Sequence, residues 1–410
     1  MNPLDIFYYV TVYFVLYYST FCLLTFFENR KKILKDAKLS FFPTLSLIIP
    51  VFNEEKNIAK TIKSILNQNY PKNKLDVIVV NDGSTDKTEK IVKKFKKVKI
   101  INQKHQGKAA ALNNGLKQVK TDLVGFVDAD SYLLKNALKN MVGYFEINKV
   151  GSVMGTVKVD RPRRILERLQ GIEYLLFGFT KRLFSFSDGN YVIPGFAIFK
   201  TKLLKKAGGF ERNNPTEDME IALKIQNMGF KIKNAMNAVV YTKVPNDFKR
   251  FMDQRIRWYR GFIINTRKYS NIIFNPKFGD LGMFVLPFNY ISLVLIFSIM
   301  CILFYNVVNS IWDYYIYLQM IGFDVSYLFR FDFSEISSLI NLSSIFFIAC
   351  IIISGYFLYL SRKYVEWYSK KKSIGKITDY LLFFFVYPLL INLIWIISIA
   401  QEILRVKIKW

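Results

Sequence analysis

Leu123-Val124-Gly125-Phe126-Val127 is a short apolar run that ends abruptly on Asp128-Ala129-Asp130. Such a run, bounded by polar residues, reads as a strand buried on both faces. The same unit recurs toward the N-terminus. Lys99-Ile100-Ile101 leads to Gln106-Gly107-Lys108 and an Ala-rich helix to about Val119. Asp76 to Val80 ends at Asn81-Asp82-Gly83-Ser84, with a helix from Thr88 to Phe95 behind it. Leu45 to Val51 ends at Phe52-Asn53-Glu54 and gives way to a helix from about Asn57 to Asn67. Strands alternating with helices predict an α/β domain whose mostly parallel sheet is covered on both faces. Ligands of such sheets gather beyond the carboxyl ends of the strands. Asn53, Glu54, Asp82 and Asp128 all fall at that edge.

A further pair of acids opens a helix. In Asn214-Pro215-Thr216-Glu217-Asp218-Met219-Glu220-Ile221, Pro215 suits a helix entrance and Thr216 an N-cap. Ile221, Ala222 and Ile225 then repeat at helical spacing. Glu217 and Asp218 stand in the first turn, where carboxylates are common because they offset the helix dipole. Asp82 alone reads equally well as a turn residue. Asp128 and Asp130, two apart in an extended turn, can place oxygens on a divalent cation that also bridges diphosphate oxygens.

Two amphipathic helices flank the Glu217-Asp218 pair in the chain. Ile165, Leu169, Ile172, Leu176, Phe179 and Leu183 form one stripe within 160–185, with Arg163, Arg164 and Arg168 off it. The stripe fits the domain's own core or a helix lying in the bilayer interface. From Phe248 to Ile263, Phe251, Met252, Ile256, Tyr259 and Phe262 share a broad apolar side, while Gln254, Arg257 and Trp258 share another. A Trp on such a helix is commonly an interface anchor.

The remainder is membrane-like. Residues 6–27, 281–305, 337–360 and 379–401 are apolar and long enough to cross a hydrocarbon core of about 30 Å. They predict an N-terminal anchor (1–28), a polar, Lys-rich domain (29–280) and a C-terminal membrane domain (281–410). The first run lacks a small-residue cleavage site, so it reads as an anchor rather than a removed signal peptide. Arg30, Lys31, Lys32, Lys35 and Lys38 follow it, and Arg362, Lys363 and Lys370 to Lys372 follow the third. The 306–335 stretch, read as a loop, carries Asp313, Asp324, Asp332 and Glu335 against Arg330. Positive-inside bias then places the polar domain in the cytoplasm of a multi-pass protein, and the tail Arg405, Lys407, Lys409 runs against that bias. The 361–378 loop, with Trp367, reads as a basic turn in preference to a gate.

A net charge of +27 calls for anionic partners. No groove-reading motif points to nucleic acid, and lipid headgroups or a diphosphate substrate fit better beside spans. Cys22, Cys301 and Cys350 lie far apart in apolar runs, without disulfide or metal spacing, and His105 is the lone histidine.

Taken together, Pro50-Val51-Phe52-Asn53-Glu54, Asn81-Asp82-Gly83-Ser84, Asp128-Ala129-Asp130, Thr216-Glu217-Asp218 and Gln254-Arg255-Ile256-Arg257-Trp258 resemble the inverting, membrane-integrated family 2 glycosyltransferases. By motif the sequence is similar to synthases of poly-N-acetylglucosamine, hyaluronan, chitin and cellulose, over roughly residues 44–270. The resemblance implies a Rossmann-like GT-A fold, a nucleotide-sugar donor, usually UDP-linked, and Mg²⁺ or Mn²⁺. It implies that Asp218 is the general base and Asp130 binds the metal. Phe52, Glu54, Asp82, Lys108, Asp128 and Arg257 would bind the donor: Asp82 the nucleoside, Asp128 the ribose or diphosphate, Lys108 and Arg257 the phosphates. Gly195, Glu217, Gln254 and Trp258 would line the acceptor site, with Trp258 as a platform. Many relatives have Ser where Pro194 stands, which leaves the acceptor open. Polymer synthesis, single-sugar transfer to a membrane lipid, and a non-catalytic basic scaffold are the competing readings; only the last leaves the ordered acids unexplained. Sugar, linkage and oligomeric state are not readable.

Overall fold

The computed structural model describes residues 3–320, 322, 342–366 and 376–407. Along the chain, helix α1 (Pro3–Asn29) precedes β1 (Leu45–Val51), α2 (Ile58–Leu66), β2 (Leu75–Asn81), α3 (Thr88–Val92), β3 (Lys99–Asn102), α4 (Lys108–Lys117) and β4 (Leu123–Val127). Then come β5 (Tyr132–Leu133), α5 (Ala137–Val142), β6 (Val150–Val159), α6 (Ile165–Phe186), β7 (Phe196–Lys200), α7 (Thr201–Lys206), α8 (Glu217–Asn227) and β8 (Lys231–Thr242). Helices α9 (Phe248–Lys268), α10 (Leu286–Met320), α11 (Leu342–Val365), α12 (Ile377–Phe385) and α13 (Tyr387–Ile403) complete the described elements.

One mixed sheet runs in the order β3-β2-β1-β4-β7-β6-β8-β5. The four strands expected from alternation are its parallel half, with β1 between β2 and β4. Strand β7 enters antiparallel between β4 and β6, and β6 pairs parallel with β8. Strand alternation explains the two-sided burial. Leu45, Leu47, Ile49 and Val51 pack with Ile58 and Ile62 of α2 and with Leu138 and Met141 of α5. Ile48 faces the other way, among Ala111, Leu112 and Leu116 of α4 and Ile221, Ala222 and Ile225 of α8. Strand β1 is thereby an interior strand, and its carboxyl end is flanked by those of β2 and β4.

The chain divides into two compact units, Met1–Leu24 with Phe288–Tyr359, and Thr25–Pro287 with Leu360–Trp410. In the second, the link after α1 is pinned to the domain. Arg182 donates to the carbonyls of Lys32, Ile33 and Lys35, and Asp36 accepts from the Met236 and Asn237 amides. The same unit packs α12 and α13 on α6 and α9: Leu169, Phe251, Tyr387 and Ile394 form a buried cluster with Ile256 and Tyr259 around it.

Three described helices are long and apolar enough to cross a membrane, Ile6–Asn29, Ile348–Val365 and Ile377–Ile403. The last is interrupted at Val386, just before Pro388, where a proline cannot donate the helical hydrogen bond. The expected 281–305 run begins with a π-helical turn, Leu281–Val285, and continues as α10. Residues 306–320, expected in a loop, are helical. Residues 321 and 323–341, and residues 367–375 of the 361–378 loop, including Trp367, lie outside the described residues.

Candidate active site

The helix α8 entrance is fixed by its neighbours. Thr216 occupies the N-cap position, yet its hydroxyl accepts from Asn265 Nδ2 at 2.9 Å instead of capping its own helix. Asn265 also bonds Asn214, whose Oδ1 accepts from the Thr216 amide at 3.0 Å. Gly261 makes this approach possible: a Cβ there would lie 2.2 Å from Thr216 Oγ1. Helix α9 is therefore in direct contact with the turn that carries Glu217 and Asp218.

Lys108, the first residue of α4, draws the acids together. Its Nζ lies 2.8 Å from Asp128 Oδ1 and 3.0 Å from Glu217 Oε1. Burial works against the ammonium charge, but the two carboxylates outweigh it and hold the lysine above its usual range. Burial likewise opposes ionisation of Glu217, and Lys108 reverses the balance, so its carboxyl sits below the ordinary value. Asp218 behaves oppositely. Burial, then the neighbouring Glu217 charge, push it up to about 6 against Lys108 and Arg257. The helix dipole, which favours the ionised form, is thus outweighed: a first-turn dipole contributes only about 0.3–1 kcal/mol at exposed sites. A carboxylate with this pKa still ionises near neutrality and is a stronger base than an ordinary one.

On the other side of Asp128 stands Asp130, also pushed up to about 6, by burial first and by Asp128 and Glu54 in addition. Its Oδ1 accepts from the Ser131 hydroxyl at 3.0 Å, and the pair is next to β7, where Gly195 O receives the Asp128 amide at 3.4 Å. Among the described residues no group of three or more His, Cys, Asp or Glu is arranged to hold a metal by itself. Two carboxylates suffice for Mg²⁺ when substrate phosphates and water complete the shell. An acid raised by a neighbouring acid fits such a cation, because the cation relieves the repulsion.

Asp82 has a different setting. Its buried carboxylate accepts from Gln103 Nε2 at 2.6 Å, from the amides of Gln106 and Gly107 at 2.9 Å, and meets His105 Nδ1 at 2.9 Å. Four partners occupy the lone-pair directions of a carboxylate. Asp82 thereby shapes the loop that delivers Lys108. The His105 ring stacks on Phe52 with centroids 4.2 Å apart, and Phe52 remains 43% exposed. Sequence reasoning passed over His105 because one imidazole without a metal partner carried no pattern. Glu54 spends Oε2 on Asn57 Nδ2 at 2.7 Å.

From α9, Arg257 Nη1 donates to Pro215 O at 2.8 Å, which places the guanidinium beside the Glu217–Asp218 turn. Gln254 Oε1 is buried without a hydrogen-bond partner among the described residues. Trp258 is half-buried, with the Arg255 guanidinium 4.2 Å from its ring centroid. Two further residues escaped the sequence reading. Burial pushes the Lys181 amine of α6 down to about 8, opposed in part by Asp218. Glu173 of α6 is buried against Arg255; the available signal was a lone acid inside an otherwise apolar stripe.

A mixed, mostly parallel sheet with acids at the carboxyl ends of its strands, closed by an acid-headed helix, defines a GT-A-like glycosyltransferase domain. Residues 46–208 match the family described as Glycosyl transferase family 2, so the chain carries a family 2 glycosyltransferase domain. It is 29% identical over 369 residues, 88% of this chain and 82% of the relative, to the poly-β-1,6-N-acetyl-D-glucosamine synthase of Staphylococcus epidermidis. A probable glycosyltransferase of Bacillus subtilis (strain 168), YdaM, is 32% identical over 255 residues, 58% of this chain and 59% of that protein. In fold, the chain is similar to the mannosyltransferase PcManGT from Pyrobaculum calidifontis, solved with GDP-Man and Mn²⁺. The TM-score is 0.55 at 22% identity, over 77% of this chain and 96% of that one.

Proposed function

We propose that the enzyme transfers N-acetylglucosamine from UDP-N-acetylglucosamine to a growing polysaccharide at the cytoplasmic face of a membrane, with inversion at the anomeric carbon. The observation that carries the chemistry is Asp218: a carboxyl pushed up to about 6, at a helix head, beside an ion-paired cluster. The acceptor hydroxyl oxygen attacks the anomeric carbon, its proton passes to Asp218, and the bond to the diphosphate breaks with its electron pair leaving on UDP. General-base assistance of this kind contributes roughly 10²–10⁴-fold. A single base acting on the acceptor, without a protein nucleophile, gives inversion.

Lys108 and Arg257 offset negative charge as the diphosphate leaves. Asp128 and Asp130 would hold Mg²⁺ or Mn²⁺, which supplies further neutralisation of that leaving group. Phe52, Glu54 and the Asp82-organised loop belong to the donor side, and Gly195, Glu217, Gln254 and Trp258 to the acceptor side. The polymer reading is supported by the similarity to poly-β-1,6-N-acetyl-D-glucosamine synthase along 88% of this chain. Purified protein incubated with radiolabelled UDP-N-acetylglucosamine in lipid should yield a high-mass product. Label confined to a single-sugar lipid would move the acceptor to the lipid class, and no transfer from any UDP-sugar would overturn the donor assignment.

A further inference from the structure

Helices α6 and α9 are held to the C-terminal helices by three charged contacts, two of which include α9 residues on either side of Trp258, Arg255 and Arg260. Arg168 of α6 forms a bidentate pair with Asp379 of α12, at 2.9 and 3.0 Å, and Asp379 is only 1% exposed. Arg260, two residues past Trp258, meets Glu402 of α13 at 3.0 Å and the Val406 carbonyl at 2.7 Å. Between them lies the most buried of the three: Arg255 Nη2 on Glu173 Oε2, with the Tyr387 hydroxyl of α13 on the same oxygen at 3.1 Å.

Arg255 is an expensive way to hold two helices together. Its side chain is 1% exposed, and its Nε has no hydrogen-bond partner among the described residues. Buried ion pairs stabilise a fold poorly compared with apolar packing, because desolvation cancels most of the attraction. What the guanidinium does have is two aromatic faces, Trp258 at 4.2 Å and Phe251 at 5.0 Å. A planar cation between rings fixes ring orientation as well as position, and a lysine ammonium cannot reproduce that plane. Glu173 and Tyr387 in turn fix the guanidinium.

We propose that Arg255, held by Glu173 and Tyr387, is a positioning residue that sets the Trp258 ring for the acceptor sugar, so that helix α13 controls the acceptor platform. The inference rests on the reading of Trp258 as that platform. It predicts that disturbing α13 at Tyr387 reaches the acceptor without touching the donor.

The test is a double-mutant cycle on the full-length enzyme in lipid, with UDP-N-acetylglucosamine as donor and a β-1,6-linked N-acetylglucosamine trisaccharide as acceptor. Dissociation constants for UDP, and for the trisaccharide in the presence of UDP, are measured by calorimetry alongside kcat and the acceptor KM. R255K should weaken trisaccharide binding about tenfold, and Y387F, which removes only a hydroxyl, about threefold, with UDP affinity unchanged within about twofold. In a W258F background the R255K penalty should shrink below about threefold, because the indole it positions is gone. Y387F keeps the test available if R255K does not fold. Equal penalties in both backgrounds, or UDP affinity falling in step with trisaccharide affinity, would overturn the positioning role. If W258F alone leaves trisaccharide binding unchanged, the platform reading itself fails, and the two failures are distinguished.

Discussion

Glu217→Gln tests the electrostatic arrangement around the base. Glu217 lies beside Asp218, and after burial its charge is the largest influence raising the Asp218 carboxyl from 3.8 to about 6. Removing one adjacent charge while leaving Lys108 and Arg257 in place should lower that pKa by about one unit. The sign follows from the role of the group. A general base works only when deprotonated, so activity falls as pH drops through its pKa, and a lower pKa moves the acid limb to lower pH.

The size follows from titration arithmetic. At pH 5, a base of pKa about 6 is ionised in ~9% of molecules, and one of pKa about 5 in ~50%, a gain of ~5-fold relative to each enzyme's own plateau. The variant plateau is expected to fall, because Glu217 also anchors Lys108 at 3.0 Å. Only the limb position is therefore diagnostic. The assay is kcat/KM for transfer from UDP-N-acetylglucosamine between about pH 4.5 and 8.5, which reports free-enzyme ionisations. An acid limb that stays in place or moves upward in E217Q would refute the reasoning, as would a wild-type limb near the ordinary aspartate value.

Asp218→Asn should abolish transfer while leaving UDP binding by calorimetry largely intact. It should also raise the melting temperature at pH 7 to 8: a carboxyl whose folded pKa is raised loses stability as pH climbs from its unfolded value to about 6, and the amide escapes that loss. Asp130→Asn should remove most of the Mg²⁺-dependent part of UDP affinity, with calorimetry in the presence and absence of Mg²⁺ as the readout; an unchanged difference would exclude Asp130 as a ligand. Gly261→Ala drives a methyl against Thr216, where the built Cβ falls 2.2 Å from the hydroxyl oxygen. Overpacking of this kind costs typically 1–3 kcal/mol, so thermal melting should drop and kcat with it, through displacement of the Asp218 turn.

What could be read ahead of the coordinates was whatever has a local signature. Asp128 fell at the sheet's carboxyl edge because four apolar runs alternated with helices, and its strand is β4. Pro215 and Thr216 marked the start of α8 within one residue. The other half of the sheet was silent for a physical reason. Strand β8 carries Lys231, Lys233, Asn234 and Asn237, which look like surface residues. Several of its polar groups find partners far along the chain, Lys231 and Lys233 in Asp188, and the Asn237 amide in Asp36. Glu173 and Arg255 lie 82 positions apart, so no window shows one completing the other.

The Asp218 pKa belongs to the same class of quantity. A helix dipole can be inferred from eight letters, but desolvation depends on what the rest of the chain stacks above the side chain. Here that includes α9, drawn in by Gly261 and Asn265. The burial that raises Asp218 and the helix that carries Arg257 and Trp258 therefore have one structural origin. A change that loosens α9 from the Thr216 turn should therefore shift the Asp218 pKa and disturb the acceptor side together.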